Sequence, residues 1–273
     1  MLSFGFQRLA MLNEALTSNT IIYEQPLNET MRICLRLEHQ FSQLNQHIHN
    51  TEIESSKIAS VAILKILEVI SRPDIKSKLV QSLAQHASTL AQLEQFPQID
   101  NTRLTGILSD LDKFIDSVHN NRNRIGEKLC QNEFLNQLRL GLGNPGGLCD
   151  FANPAYSLWL KKSNYARQSD LIAWAGELQE LGEITKLILQ ITRDSAPSQK
   201  IIARDGFYHQ NLNPALPCEM LRVSVPTDLG VFPEFSVGRH RLTIRFLVPN
   251  YYDKGRPKQL HEDTEFELFC CRA

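Results

Sequence analysis

LIAWAGELQELGEITKLILQITRDSAP, residues 171–197, is where the chain changes its hydrophobic period. Leu171, Trp174, Leu178, Leu181, Ile184, Leu187, Ile188 and Ile191 recur at spacings of three and four. That spacing draws one apolar stripe along a helix, which Ser195-Ala196-Pro197 ends. Beyond Pro197 the period is two. Leu221, Val223 and Val225 alternate with other residues, as do Leu242, Ile244 and Phe246, and then Phe266, Leu268 and Cys270. Prolines and glycines separate these runs, as expected for antiparallel strands.

Upstream, helical spacing fills 28–141. Met31, Cys34, Leu37, Phe41, Leu44 and Ile48 mark a first helix, with Asn28 as its N-cap. A second helix over 56–70 carries Ile58, Val61, Ile63, Leu64, Ile66, Leu67, Val69 and Ile70 around most of its circumference, which predicts the central helix. Ser71-Arg72-Pro73-Asp74 ends it and opens a third, because proline is tolerated in a first helical turn. A fourth opens near Asp100. A fifth covers 125–140 and stops at the glycine-rich loop over 141–147. Short polar links predict antiparallel neighbours in a bundle. The β-branched and aromatic residues 20–23 read as a strand able to join the distant sheet.

The fold class is therefore α+β, an N-terminal helical bundle followed by a mostly antiparallel β domain. The expected divisions are an N-terminal extension over 1–19, read as poorly ordered, a helical bundle over 24–145, and a β-rich domain with packed helices over 146–273. Strand 20–23 would make that β domain discontinuous in sequence.

With 29 Lys+Arg against 30 Asp+Glu in 273 residues, the formal charge of −1 excludes a generally basic nucleic-acid binder but leaves room for a local basic patch. No run of about 18 apolar residues predicts a membrane span. The N-terminus lacks a basic start before an unbroken apolar run, so no signal peptide is expected. The cysteines (Cys34, Cys130, Cys149, Cys218, Cys270 and Cys271) form no C-x-x-C pair, and reduced thiols serving as small core residues are expected. Cys270 and Cys271 point to opposite faces if they lie on a strand.

No catalytic constellation emerges. The loop over 141–147 does not follow a strand and carries no Lys-Ser/Thr, so it reads as a turn rather than a phosphate cradle. His47 and His49 are two apart and face different ways on a helix. The segment RHRLTIRFL, residues 239–247, is more informative. Alternation puts His240, Leu242, Ile244 and Phe246 on one side, and Arg239, Arg241, Thr243 and Arg245 on the other. Guanidiniums at every second residue repel one another unless an anion or carboxylates lie nearby. Such a row reads either as a solvated sheet face or as a surface for an anion or acidic peptide, because the planar guanidinium can pair a carboxylate with two hydrogen bonds. Arg72, at a helix junction, reads on spacing alone as a capping or surface charge.

Several strings carry a resemblance. They are YEQPLNETMR (23–32), LRLE (35–38), PGG (145–147) with Cys149 and Phe151, and Trp159-Leu160. Further on come Ser195-Ala196-Pro197, Gly206-Phe207-Tyr208, Phe232-Pro233 leading into RLTIRF (241–246), and FELFCC (266–271). In order and spacing they resemble the ZapD family of bacterial cell-division proteins. The resemblance implies a helical domain and a β domain, a homodimer, and binding to the short C-terminal tail of FtsZ through a basic surface. It further implies bundling of FtsZ filaments at the mid-cell division ring in the cytoplasm, with no catalytic residues, cofactor, metal or small-molecule substrate, no nucleic acid and no membrane insertion. Arg241 and Arg245 match family arginines on that surface, and Arg72 matches one at the helix junction. Arg239 and Arg139 match further basic positions, whereas Glu133 stands where a basic residue is expected. The alternative is a nucleic-acid-binding adaptor using the arginine strand with Tyr251 and Tyr252. The near-neutral charge argues against a large phosphate footprint.

Overall fold

The structure is a computed structural model that describes residues 19–95, 100–121, 123–252 and 254–272. The extension expected over 1–19 lies, apart from Asn19, outside the described residues. By compactness the chain divides into two units, one of Met1–Glu29 with Thr192–Ala273 and one of Thr30–Ile191.

In the helical unit, α1 (Glu29–His47) buries Met31, Ile33, Cys34, Leu37 and Leu44. The central helix is α2 (Ile53–Ile70), which buries small and branched residues around its circumference, from Ser55 and Ser56 through Ile63 and Leu64 to Ile70. α3 (Ile75–Ala91) and α4 (Asn101–Asn120) pack side by side. Asp100 caps α4, its carboxylate accepting from the N–H groups of Thr102 and Arg103 at 3.1 and 3.2 Å.

The single helix expected over 125–140 is broken. A short turn, α5 (Glu127–Cys130), is followed by α6 (Glu133–Leu142). Asn132 makes the break, since its side chain accepts from the Leu135 N–H at 3.1 Å and so caps a new helix. After the glycine loop come α7 (Pro154–Leu160), α8 (Asn164–Gly176) and α9 (Gln179–Asp194). α6, α7 and α8 all pack on α2. The glycine loop therefore turns the chain back onto the same core rather than ending it, and the compact unit runs to Ile191 instead of 145. The turn is tight: a Cβ on Gly147 would collide with the Gly141 carbonyl, and Gly146 has φ +72°.

The β unit holds two sheets. One runs in the order β1 (Thr20–Pro26), β4 (Met220–Pro226), β8 (Thr264–Cys271), β2 (Gln199–Ala203). β1 lies antiparallel to β4 with Tyr23 opposite Val223, so the strand at the start of the chain joins partners some two hundred residues away. The other sheet runs β3 (Phe207–Asn211), β6 (Arg241–Val248), β5 (Phe232–Val237), with β7 (Lys258–Gln259) also paired to β6. Alternate residues of both sheets share one core: Leu221, Val223 and Val225 with Leu242, Ile244, Phe246, Phe266 and Leu268. Phe246 and Phe266 bring their rings to 5.1 Å within it. The faces of β6 are thereby fixed, because its apolar set is consumed by this core.

Candidate functional site

β6 is the central strand of its sheet. Leu242, Ile244 and Phe246 are fully buried, so strand alternation turns Arg241, Thr243 and Arg245 to the opposite face. Antiparallel register decides what stands beside each. Arg245 lies between Phe207 of β3 and Glu234 of β5. Its Nη2 is 3.2 Å from the Glu234 carboxylate, and both side chains are about half exposed. Thr243 lies between His209 and Ser236, and Arg241 opposite Asn211.

The chain turns from β5 into β6 through Gly238, whose N–H donates to the Arg241 carbonyl at 2.9 Å. Arg239 and His240 occupy that turn. His240, expected on the buried side with Leu242, is exposed because the strand begins only at Arg241. Arg239 and Arg241 are exposed, and neither has an ion-pair partner among the described residues. Arg239, Arg241 and Arg245 thus stand at the turn and along the solvent side of one strand, with half-buried Phe207 beside Arg245.

Arg72 and Arg139 belong to the helical unit. Arg72 sits in the turn between α2 and α3, and its Nη2 is 3.3 Å from the Asp74 carboxylate. Lys78 takes the same carboxylate at 2.8 Å. The Lys78 hydrogen bond, helped by Arg72, holds the Asp74 carboxyl below its ordinary pKa. Arg72 and Lys78 thus share the Asp74 carboxylate. Arg139, in the last turn of α6, lines a shallow groove with Lys65, Glu68, Ser71 and the largely exposed Leu140. Glu133 lies exposed on the first turn of α6 and accepts from Gln137 at 3.0 Å.

Two neighbours escaped the sequence reading. Glu234 becomes visible only once the turn around Gly238 sets the β5–β6 register, and Lys65 only once α6 is docked on α2. Tyr251 and Tyr252 are 81% and 97% exposed, close in sequence to exposed Lys254 and Arg256. Among the described residues no group of three or more His, Cys, Asp or Glu is placed to hold a metal ion. Nor, among them, is any helix long and apolar enough to cross a membrane.

What this arrangement offers chemically is charge recognition. Planar guanidiniums are carried by a strand that a packed core holds rigid, and each can take a carboxylate by two hydrogen bonds. The chain as a whole is similar to proteins of one class. The family model ZapD, described as a cell division protein, matches residues 35–245. The chain is 47% identical over 257 residues to the cell division protein ZapD of Coxiella burnetii (strain RSA 331 / Henzerling II), covering 94% of this chain and all of that one. It is 32% identical over 253 residues to the protein of that name from Methylococcus capsulatus, covering 93% and 98% of the two chains. With that of Chromobacterium violaceum it shares 30% over 252 residues, or 92% and 99%. The chain belongs to the ZapD family of cell division proteins.

Proposed function

We propose that this protein binds the C-terminal tail of FtsZ through the arginines of β6 and the turn before it and, as a homodimer, cross-links FtsZ filaments at the cytoplasmic division ring during septation. The observation that carries this reading is the solvent face of β6. Folding needs the buried face of that strand. It does not need exposed cations at Arg239 and Arg241 with no acid beside them. Arg72 and Arg139 supply further positive charge on the helical unit.

A short disordered peptide loses conformational entropy on docking, so each tail binds weakly. Its acidic groups pair with the arginines, and its apolar groups lie against neighbours such as Phe207. A filament displays many tails and a dimer carries two sites. Linking two weak contacts raises attachment by roughly 10²–10⁴ where geometry permits both. Two sites that reach different filaments bundle them.

The test is fluorescence anisotropy of a labelled FtsZ tail peptide with the protein and with Arg241→Glu. Binding lost in the variant, with an unchanged circular dichroism spectrum, is expected. Binding retained moves the contact off β6. Exposed Tyr251 and Tyr252 beside Lys254 and Arg256 favour a second reading, single-stranded nucleic acid. Salt-dependent binding of a labelled RNA with no binding of the tail peptide would select it.

A further inference from the structure

β5 is an edge strand of its sheet, paired among the described residues to β6 alone. Which of its amides face outward follows from the hairpin into β6. The Gly238 N–H donates to the Arg241 carbonyl at 2.9 Å, which makes Gly238 and Arg241 a hydrogen-bonded pair. Such pairs recur at every second residue of an antiparallel ladder. Ser236 opposite Thr243, Glu234 opposite Arg245 and Phe232 opposite Leu247 therefore direct their N–H and C=O groups at each other. The far side of β6 agrees. There the Phe246 N–H donates to the Gly206 carbonyl, and the His240 carbonyl accepts from the Leu212 N–H.

The main-chain groups of Pro233, Phe235 and Val237 thus point away from the sheet. The Tyr23 hydroxyl donates to the Val231 carbonyl at 3.4 Å and closes the start of this edge. Beyond it, the N–H and C=O groups of Phe235 and Val237 have no partner among the described residues. Their side chains turn inward and pack on the sandwich core, which holds the edge in place. An unpaired edge of this kind is a template for a further strand.

We propose, resting on the tail-binding reading above, that the FtsZ tail adds a strand to this edge and pairs its backbone with Phe235 and Val237. In such an addition main-chain bonds give attachment, and alternate side chains give selectivity. Every second residue of the added strand shares the solvent face with Arg241 and Arg245. The way to Arg241 is open, because Gly238 beside it carries no side chain, and the next residue on that face of β5 is the small, exposed Ser236. Glu234 stands between the edge and Arg245. On the other flank of β6 the corresponding places hold Asn211, His209 and Phe207. Two strand spacings put the added strand about 10 Å from β6, a gap that an arginine and a carboxylate side chain span together. The free edge is short, so few tail residues pair, and the rest can cross the face of β6 towards Phe207.

Amide hydrogen exchange of the full-length protein, read residue by residue by NMR with and without saturating tail peptide, tests this. Exchange at Phe235 and Val237 is expected to slow by about 10-fold or more, with little change at Glu234 and Ser236, which already bond to β6. Tail peptides N-methylated at one backbone nitrogen should lose binding at alternate positions of the pairing segment and keep it between them. In Gly238→Val the added Cβ meets only the Arg241 carbonyl, at 3.9 Å. That variant should keep its circular dichroism spectrum and bind the tail about 5-fold or more weaker, because its side chain stands before Arg241. The exchange and N-methylation arms use the unaltered protein and decide the matter even if the variant fails to fold. A tail that binds, and is lost with Arg241→Glu, but leaves Phe235 and Val237 unprotected overturns the added strand and leaves the arginine contact standing. No binding of the tail at all overturns both.

Discussion

Arg245 and Glu234 face each other across the β5–β6 ladder at 3.2 Å, while Arg241, nearer the turn on the same side of β6, has no ion-pair partner among the described residues. The arginine face is therefore uneven. An acidic ligand meets Arg241 without competition but must displace an internal carboxylate to reach Arg245. That competition is mild, because a half-exposed ion pair contributes at most about 1 kcal/mol.

Removing the competitor should help the ligand. Glu234→Gln is expected to tighten binding of the FtsZ tail peptide by roughly 2- to 5-fold at low salt, read by anisotropy, with the fold unchanged by circular dichroism. Weaker binding would mean that Glu234 orients Arg245 for the ligand instead of competing with it.

Arg167 of α8 is a buried cation held by neutral oxygens. It donates to Ser56 Oγ at 3.1 Å, to the carbonyls of Leu160, Lys162 and Thr51 at 3.2, 2.6 and 3.0 Å, and to Asn164 Oδ1 at 2.8 Å. The planar guanidinium fork reaches all of these acceptors together, which an ammonium cannot do. Arg167→Met should destabilise the helical unit by about 3 kcal/mol or more, because it strands buried acceptors. Arg167→Lys should recover only part of that in urea unfolding. A full rescue by lysine would show that charge, not the fork, is what the site uses.

How much of this was legible beforehand varied with the kind of signal. The change of period after Pro197 carried the α+β division, and Asp100 marked the start of α4, because local chemistry sets both. The break at Asn132 was not legible, since a lone polar residue inside a helical pattern reads equally as a solvated position. The glycine loop over 141–147 announced a turn but not which core the next helices would join. That choice depends on burial against α2, a tertiary matter. On β6, alternation correctly turned Arg241 and Arg245 outward. It could not place Glu234 beside Arg245, because cross-strand pairing depends on where the turn falls, and the same uncertainty put His240 on the wrong side.

His86 on α3 is buried, and burial lowers its pKa from 6.5 to about 4. The unfolded chain therefore binds this proton between about pH 6.5 and pH 4 while the folded chain does not. Stability contributed by the neutral imidazole is fully present above the unfolded pKa and is lost as pH falls through that window, by up to about 3 kcal/mol. Urea unfolding at several pH values should show a smaller acid loss in His86→Gln than in the unaltered protein. Equal slopes would show that His86 protonates without opening the fold.

Co-sedimentation with GTP-assembled FtsZ, beside FtsZ lacking its C-terminal tail, tests the central claim most directly. Run from about 0.1 M to about 1 M salt, where the screening length falls from about 10 Å to about 3 Å, it also separates charge recognition from apolar contact. The account predicts bundled pellets with full-length FtsZ only, lost with Arg241→Glu and weakening as salt rises. Equal, salt-insensitive pelleting with the tail-less filaments would contradict it.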